Sequence, residues 1–363
     1  METIAEDQKL SKRKIKAISK DPQKTAAAIN LVHVNDNQPG IQRLRNGKDF
    51  IFKLNGKKLN NKAALQRIKS LVIPPAWEDV WICDVDNGHL QATGIDIKKR
   101  KQYKYHPQWN ALRNHTKYYR LLEFGKTLPT IRTQLQKDLS LPGMPVEKVL
   151  ALVVTLIEQT NIRIGNNFYE KLYGSFGLTT LKDKHVVMDG HDLKFVFKGK
   201  KGVEHDISLK NKKLMMLVKK CRDIPGKELF QYYDGQGTRH PIDSGMVNNY
   251  IKIISGTDFS AKDFRTWSGT VRAFLAFKEL GVFETETEKK KKIVAALDIV
   301  AGHLGNTRTV CKKYYVHPVI ISLYENKLLT KYEQMPFGDT DKEEIKNNIL
   351  PEEVVILKIL QKH

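Results

Sequence analysis

The chain has 363 residues, 40% hydrophobic and 28% charged. That is long enough for two domains of about 150 residues and apolar enough for globular cores. Lysine and arginine number 62 against 40 acidic residues, a net charge of +22, which favours polyanionic partners through phosphate neutralisation. Cys83, Cys221 and Cys311 form neither a disulfide framework nor a zinc spacing and fit a reducing cytosol. No stretch approaches the ~20 apolar residues of a bilayer span, and Val149 to Ile157, interrupted by Glu158, reads as a buried helix.

Residues 1–30 form a basic extension with Lys12, Arg13, Lys14, Lys16 and Lys20 clustered. Its start, Met1-Glu2-Thr3-Ile4-Ala5-Glu6, lacks the basic-then-apolar order of a secretory signal, so a cytoplasmic, nucleoid-associated location is expected. From 31 to 115 short β-like runs alternate with turn signals at Asn37-Gln38-Pro39-Gly40, Asn55-Gly56 and Asp86-Asn87-Gly88, predicting a small β-rich N-terminal domain. One helix interrupts it from Lys62, with Ala64, Leu65, Ile68 and Leu71 on one face. A polar helical connection spans 116–144, ending in Leu141-Pro142-Gly143.

A larger, mainly helical domain is expected over 145–335, followed by a helical tail over 336–363. Val149, Leu152, Val153 and Leu156 form an apolar stripe leading to Arg163. A β-meander follows: Val186 to Met188, the Asp189-Gly190 turn, then Leu193, Phe195 and Phe197 at period two. After Gly199-Lys200-Lys201-Gly202 the alternation resumes at Val203, His205, Ile207 and Leu209, which places a lysine at a hairpin tip. A late helix turns Ile293, Leu297, Val300 and Leu304 inward.

The chemistry concentrates in a few places. Lys98-Lys99-Arg100-Lys101-Gln102-Tyr103-Lys104-Tyr105 sets cations, an amide and two aromatics on alternating faces of a strand, suiting phosphates and base edges. Arg163 and Arg265 follow apolar or aromatic residues, where a guanidinium must be paired or face a ligand, and such forks suit the oxygens of a phosphorus centre. A lysine at the hairpin tip, Lys200 or Lys201, would serve as general acid toward a leaving 5′ oxygen. Gly305-Asn306 reads both as a helix C-cap and as a donor to a phosphate oxygen. Tyr314 and Tyr315 follow Lys312-Lys313 and precede Val316-His317-Pro318. A phenol, with a pKa of about 10, becomes an effective nucleophile when cations stabilise the charge developing on a phosphate. No Walker A motif and no acidic metal triad is evident, so neither ATP, nor a metal, nor another cofactor is expected.

In order and spacing these motifs resemble the type IB DNA topoisomerases of the poxvirus and bacterial kind. The match includes Ile73-Pro74-Pro75-Ala76-Trp77, Gly88 to Gly94, Arg100-Lys101-Gln102-Tyr103, Arg163-Ile164-Gly165-Asn166, Tyr173 to Thr180, Phe264-Arg265-Thr266-Trp267 and Tyr315-Val316-His317-Pro318. The resemblance implies an α+β protein, its two lobes forming a C-shaped clamp around duplex DNA, acting as a monomer. It assigns Tyr315 as nucleophile, Arg163 and Arg265 as phosphate clamps, Lys200 as general acid, and Lys98, Arg100, Gln102, Tyr103 and Tyr105 to DNA binding. Poxvirus enzymes carry histidine nine residues before the nucleophile; here Asn306 takes that place, able to donate a hydrogen bond but not to carry charge. His303, three residues earlier, is read as structural.

Two other readings fit less of the sequence. A tyrosine recombinase shares the Arg, Lys, Arg and Tyr logic, but carries His-x-x-Arg at its second arginine, against Phe-Arg-Thr-Trp here, and a helical N-terminal lobe. A non-catalytic nucleoid protein explains the charge alone.

Overall fold

The computed structural model describes residues 21–47, 49–97, 99–189, 192–334 and 348–363, with the backbone alone at 113–119 and Asp189. Lys98, residues 1–20 of the expected extension, Gly190 of the expected turn, residue 335 at the end of the expected larger domain and 336–347 of the expected tail lie outside the described residues. The chain divides into two compact units between Tyr119 and Arg120.

The N-terminal unit begins with α1 (Pro22–Ala27), capped by Asp21, whose carboxylate accepts from the Gln23 and Lys24 amides. A six-stranded antiparallel sheet follows: β1 (Ile41–Asn46), β2 (Asp49–Leu54), β3 (Lys57–Lys58), β4 (Glu78–Ile82), β5 (Leu90–Ile95) and β6 (Lys101–Tyr105), ordered β3-β2-β1-β4-β5-β6. Asn55 and Gly56 turn β2 into β3 with φ of 48° and 78°, the positive pair that matches strand twist in a two-residue hairpin. The helix expected from Lys62 is α2 (Lys62–Ser70), and the Asn61 side chain accepts from the Ala64 amide at its start. Ile68 packs with Ile41, Val80, Ile82 and Ala92 to form the core of this unit.

The division falls within α3 (Pro107–Leu139). The segment expected to act as a connection is, from Arg120 onward, part of the larger unit's core. Leu121, Phe124, Leu128, Ile131 and Leu135 are all buried there, because they recur at alternate spacings of three and four along one helix face. The stripe expected before Arg163 lies on α4 (Val146–Thr160), where Val149, Leu152, Val153 and Leu156 are fully buried. Short α5 (Asn167–Tyr173) leads to a meander of β7 (Val186–Asp189), β8 (Asp192–Lys198) and β9 (Glu204–Leu209), in the order β7-β8-β9. Leu193, Phe195 and Phe197 face the core, as their alternation predicts.

Helices then dominate. After α6 (Lys212–Arg222) comes the short pair β10 (Gln231–Tyr233) and β11 (Arg239–Pro241), then α7 (Ser244–Ser255). Next come α8 (Ala261–Leu280) and α9 (Glu286–Leu304), packed on each other. Ser260 and Asp263 form a reciprocal cap at the start of α8. Leu297, Val300 and Leu304 of α9 are buried. After α10 (Arg308–Tyr314), α11 (Pro318–Glu325) and α12 (Thr330–Glu333), a final helix, α13 (Pro351–Lys362), returns to pack on α8.

Candidate active site

Four of the five candidate catalytic side chains, Arg163, Lys200, Asn306 and Tyr315, line one cleft of about 900 Å³ in the larger unit. The fifth, Arg265, sits beneath it, its guanidinium carbon 5.3 Å from the centre of the Tyr315 ring. Each is placed by a local backbone device.

Helix α4 ends at Asn161 in the left-handed conformation (φ 55°), and α9 ends at Gly305 in the same conformation (φ 57°). Such ends leave carbonyl oxygens unpaired and carry the negative pole of the helix dipole. The two arginines occupy those poles. Arg265 donates to the Asn161 carbonyl oxygen and, at 2.7 Å, to that of Leu304. Arg163 donates to the Gly305 carbonyl oxygen at 3.1 Å and to Asn306 Oδ1 at 2.6 Å. Carbonyl acceptors hold both cations without cancelling their charge, as a carboxylate would.

The electrostatics follow from that crowding. Burial, reinforced by the neighbouring Arg265, pulls the Arg163 guanidinium down to about 10, so it stays charged at neutral pH. Burial likewise lowers Arg265. Arg265 is 4% exposed, and its Nε has no hydrogen-bond partner among the described residues. Two desolvated positive charges side by side form a site for a dianion or a phosphodiester.

Tyr315 sits at a break between helices. It closes α10, its amide donating to the Cys311 carbonyl oxygen at 2.9 Å. The next helix starts two residues on: His317 Nδ1 accepts from the Val319 amide at 3.1 Å and Pro318 takes the first helical position. The tyrosine backbone lies against α8 at Gly269, where a Cβ would stand 2.7 Å from the Tyr315 carbonyl oxygen. Thr270 Oγ1, which donates to the Thr266 carbonyl oxygen at 2.9 Å, lies 3.3 Å from that of Tyr315 and accepts from the His317 amide at 3.1 Å. Adjacent Tyr314 also lines the cleft, with the Lys313 ammonium 5.4 Å from its ring centre.

Lys200 opens the turn Lys200–Gly202 between β8 and β9, as expected of a hairpin tip, and is exposed. Lys201 follows at φ 65° and also lines the cleft. Asn306 carries a role not read from the sequence. A guanidinium can only donate, so the amide turns Oδ1 toward Arg163, while Nδ2 donates to Leu304 O at 3.3 Å. His303 Nε2 lies 3.0 Å from Asn161 Nδ2 and 3.2 Å from Ser268 Oγ, bridging the two helix ends. His205 also lines the cleft. Only its alternation with Ile207 and Leu209 was visible in the sequence.

In the N-terminal unit the basic aromatic strand is the edge strand β6. Asp96 gathers two of its candidates: Arg100 at 2.6 Å and Gln102 Nε2 at 2.8 Å. Tyr103 is 49% exposed and stacks on Tyr105 with ring centres 6.0 Å apart. Lys98 lies outside the described residues.

Residues 100–337 match the family model of the catalytic core of eukaryotic DNA topoisomerase I, and residues 50–96 match that of the N-terminal domain of bacterial DNA topoisomerase IB. The chain is 30% identical over 296 residues to DNA topoisomerase 1B of Acanthamoeba polyphaga mimivirus, covering 79% of this chain and 88% of the viral protein. It is 24% identical over 237 residues to DNA topoisomerase 1B of Vaccinia virus (strain Copenhagen), covering 64% of this chain and 72% of that one. DNA topoisomerase I of Monkeypox virus matches at 24% over the same share. The chain belongs to the type IB DNA topoisomerase family. It is an enzyme that acts on DNA, and the recombinase reading is not favoured.

Proposed function

We propose that the cleft cuts one strand of duplex DNA by transesterification to Tyr315 and reseals it after strand rotation. The observation that carries this assignment of residues is the seating of Arg163 and Arg265 on carbonyl oxygens around the Tyr315 side chain. Tyr315 Oη attacks the phosphorus and its proton passes to solvent. The new Tyr–O–P bond forms as the P–O5′ bond breaks, leaving a 3′-phosphotyrosyl link, and Lys200 supplies the proton taken by O5′. Arg163 and Arg265 stabilise the charge on the non-bridging oxygens, and Asn306 holds Arg163 in register. The reverse steps reseal the strand. Because the link conserves the phosphodiester energy, torsion in the DNA alone drives relaxation and no nucleotide is consumed.

Arg100, Gln102, Tyr103 and Tyr105 supply phosphate and base contacts to the duplex. Among the described residues no helix is long and apolar enough to cross a membrane. The enzyme acts as a monomer on the nucleoid in the cytoplasm in this reading, and the surplus of +22 supports its polyanionic partner. Incubating the purified protein with supercoiled plasmid in EDTA, without ATP, tests this function: relaxation through stepwise topoisomers is expected, and an unchanged plasmid contradicts it.

A further inference from the structure

His205 stands on β9 directly across from Phe197 of β8. Its ring stacks on that of Phe197, with centres 4.9 Å apart and planes 19° apart, and Phe197 is part of the buried core. The imidazole is therefore braced from behind. Its free edges meet two glycines from different parts of the chain. A Cβ at Gly199 would stand 2.6 Å from both Cδ2 and Nε2 of the ring, and one at Gly305 would stand 2.6 Å from Cε1. Both positions admit only glycine while the ring stays where it is.

These glycines are not neutral neighbours. Gly199 begins the turn that carries Lys200, its amide donating to the Val203 carbonyl oxygen at 2.7 Å and its own carbonyl accepting from Gly202 at 3.1 Å. Gly305 caps α9, and its carbonyl oxygen accepts from Arg163. Elsewhere the hairpin is tied at Lys198, whose carbonyl oxygen accepts from the Phe176 amide at 2.8 Å. Lys200, Lys201 and Gly202 are exposed, and the ring lies between the buried glycine that opens their turn and the helix end.

We propose that His205 is a positioning residue that wedges between Gly199 and Gly305 and sets the Lys200 turn against the helix end holding Arg163 and Asn306. This rests on the reading of Lys200 as general acid. Proton delivery to O5′ depends on placement within about a hydrogen-bond length, and a displacement of about 1 Å is enough to cost about a hundredfold in rate. The ring acts as a spacer, and substitution on either side of it should be felt at the leaving group.

The test compares single-turnover cleavage of a duplex with an ordinary phosphodiester and one with a 5′-bridging sulfur at the cleaved linkage. A thiolate leaves without a proton, its conjugate acid having a pKa of about 8.5. His205→Ala should slow the ordinary substrate by about tenfold to a hundredfold and regain most of that rate on the sulfur substrate, in parallel with Lys200→Ala. Gly199→Ala should show the same pattern, because its φ of −91° admits alanine and the clash is with the ring alone. Adding Gly199→Ala to His205→Ala should then cost little more. If His205→Ala fails to fold, Gly199→Ala carries the same comparison. Equal slowing of both substrates, or no slowing of either, overturns the positioning role while leaving Lys200 in place. If Lys200→Ala itself shows no sulfur rescue, the general-acid reading fails and this proposal falls with it.

Discussion

Arg265 lies under the Tyr315 ring, its guanidinium carbon 5.3 Å from the ring centre, and reaches both helix ends of the site through the carbonyl oxygens of Asn161 and Leu304. One side chain thus ties the C-terminus of α4 to that of α9 beside the nucleophile. Lysine carries the charge but not the planar fork. Arg265→Lys is therefore expected to cut the cleavage rate by about a hundredfold or more, the scale of one lost transition-state donor. Single-turnover cleavage measures it, and retention of near wild-type rate would show that charge alone suffices.

Asn306 separates orientation from charge. Removing its oxygen in Asn306→Ala frees Arg163 to rotate, and about a tenfold loss of cleavage is expected, on the scale of about 1.4 kcal/mol per factor of ten. Asn306→Asp keeps an acceptor but sets a negative charge against both Arg163 and the incoming phosphate. It should be the slower of the two, with the gap narrowing at high salt as screening grows. The reverse order would mean that acceptor geometry outweighs charge.

The last helix contributes to stability through a carboxylate. Glu353 is 3% exposed. It accepts from Arg132 at 2.7 and 2.9 Å, from Trp267 Nε1 at 2.8 Å and from the Leu350 amide at 2.9 Å. Arg132 also pairs with Glu158 at 2.8 Å, so it is not wholly stranded when Glu353 is lost. Glu353→Ala should destabilise the larger unit by about 3 kcal/mol, the low end for breaking a buried pair, as read by urea denaturation of the whole chain. A loss below about 1 kcal/mol would place this network among surface-like pairs.

Acid should weaken the fold through its histidines. Burial and the charges of Arg163 and Arg265 depress the proton affinity of His205, with Glu204 opposing. Burial with Lys184 and Lys182 does the same to His185, against Glu170. A base with a depressed folded pKa stabilises the fold above the unfolded value of about 6.5 and loses that contribution as pH falls through the folded value. The thermal midpoint should drop between pH 7.5 and pH 5, and drop less in His205→Gln. An equal drop in the two proteins would remove His205 from the balance.

Much of this was legible in the sequence where local rules govern. The period-two runs around Gly199 placed a lysine at a hairpin tip, Asn55-Gly56 marked its turn, and Gly305 marked the end of α9. Roles that depend on tertiary approach left no such trace. Nothing in the neighbourhood of His205 announces that two glycines close on its ring, since Gly305 is 100 residues distant in sequence. Asn306 was read as a phosphate donor because its arginine partner is more remote still, 143 residues away. Glu353 reads as a solvated acidic residue in a helix's first turn until Arg132 and Trp267 surround it. Gln102 lies in β6 and Arg100 just before it, and the carboxylate that gathers both, Asp96, was not part of the pattern read from the strand.

The assignment of Tyr315 rather than Tyr314 as nucleophile is the central claim, and both side chains line the cleft. The direct measurement traps the covalent protein–DNA complex on a nicked duplex, digests it, and locates the nucleotide-bearing peptide residue by mass spectrometry. The account predicts a 3′-phosphoryl adduct on Tyr315, formed equally by Tyr314→Phe and absent in Tyr315→Phe, which should still bind DNA. An adduct on Tyr314, a 5′-linked adduct, or relaxation by Tyr315→Phe would contradict it.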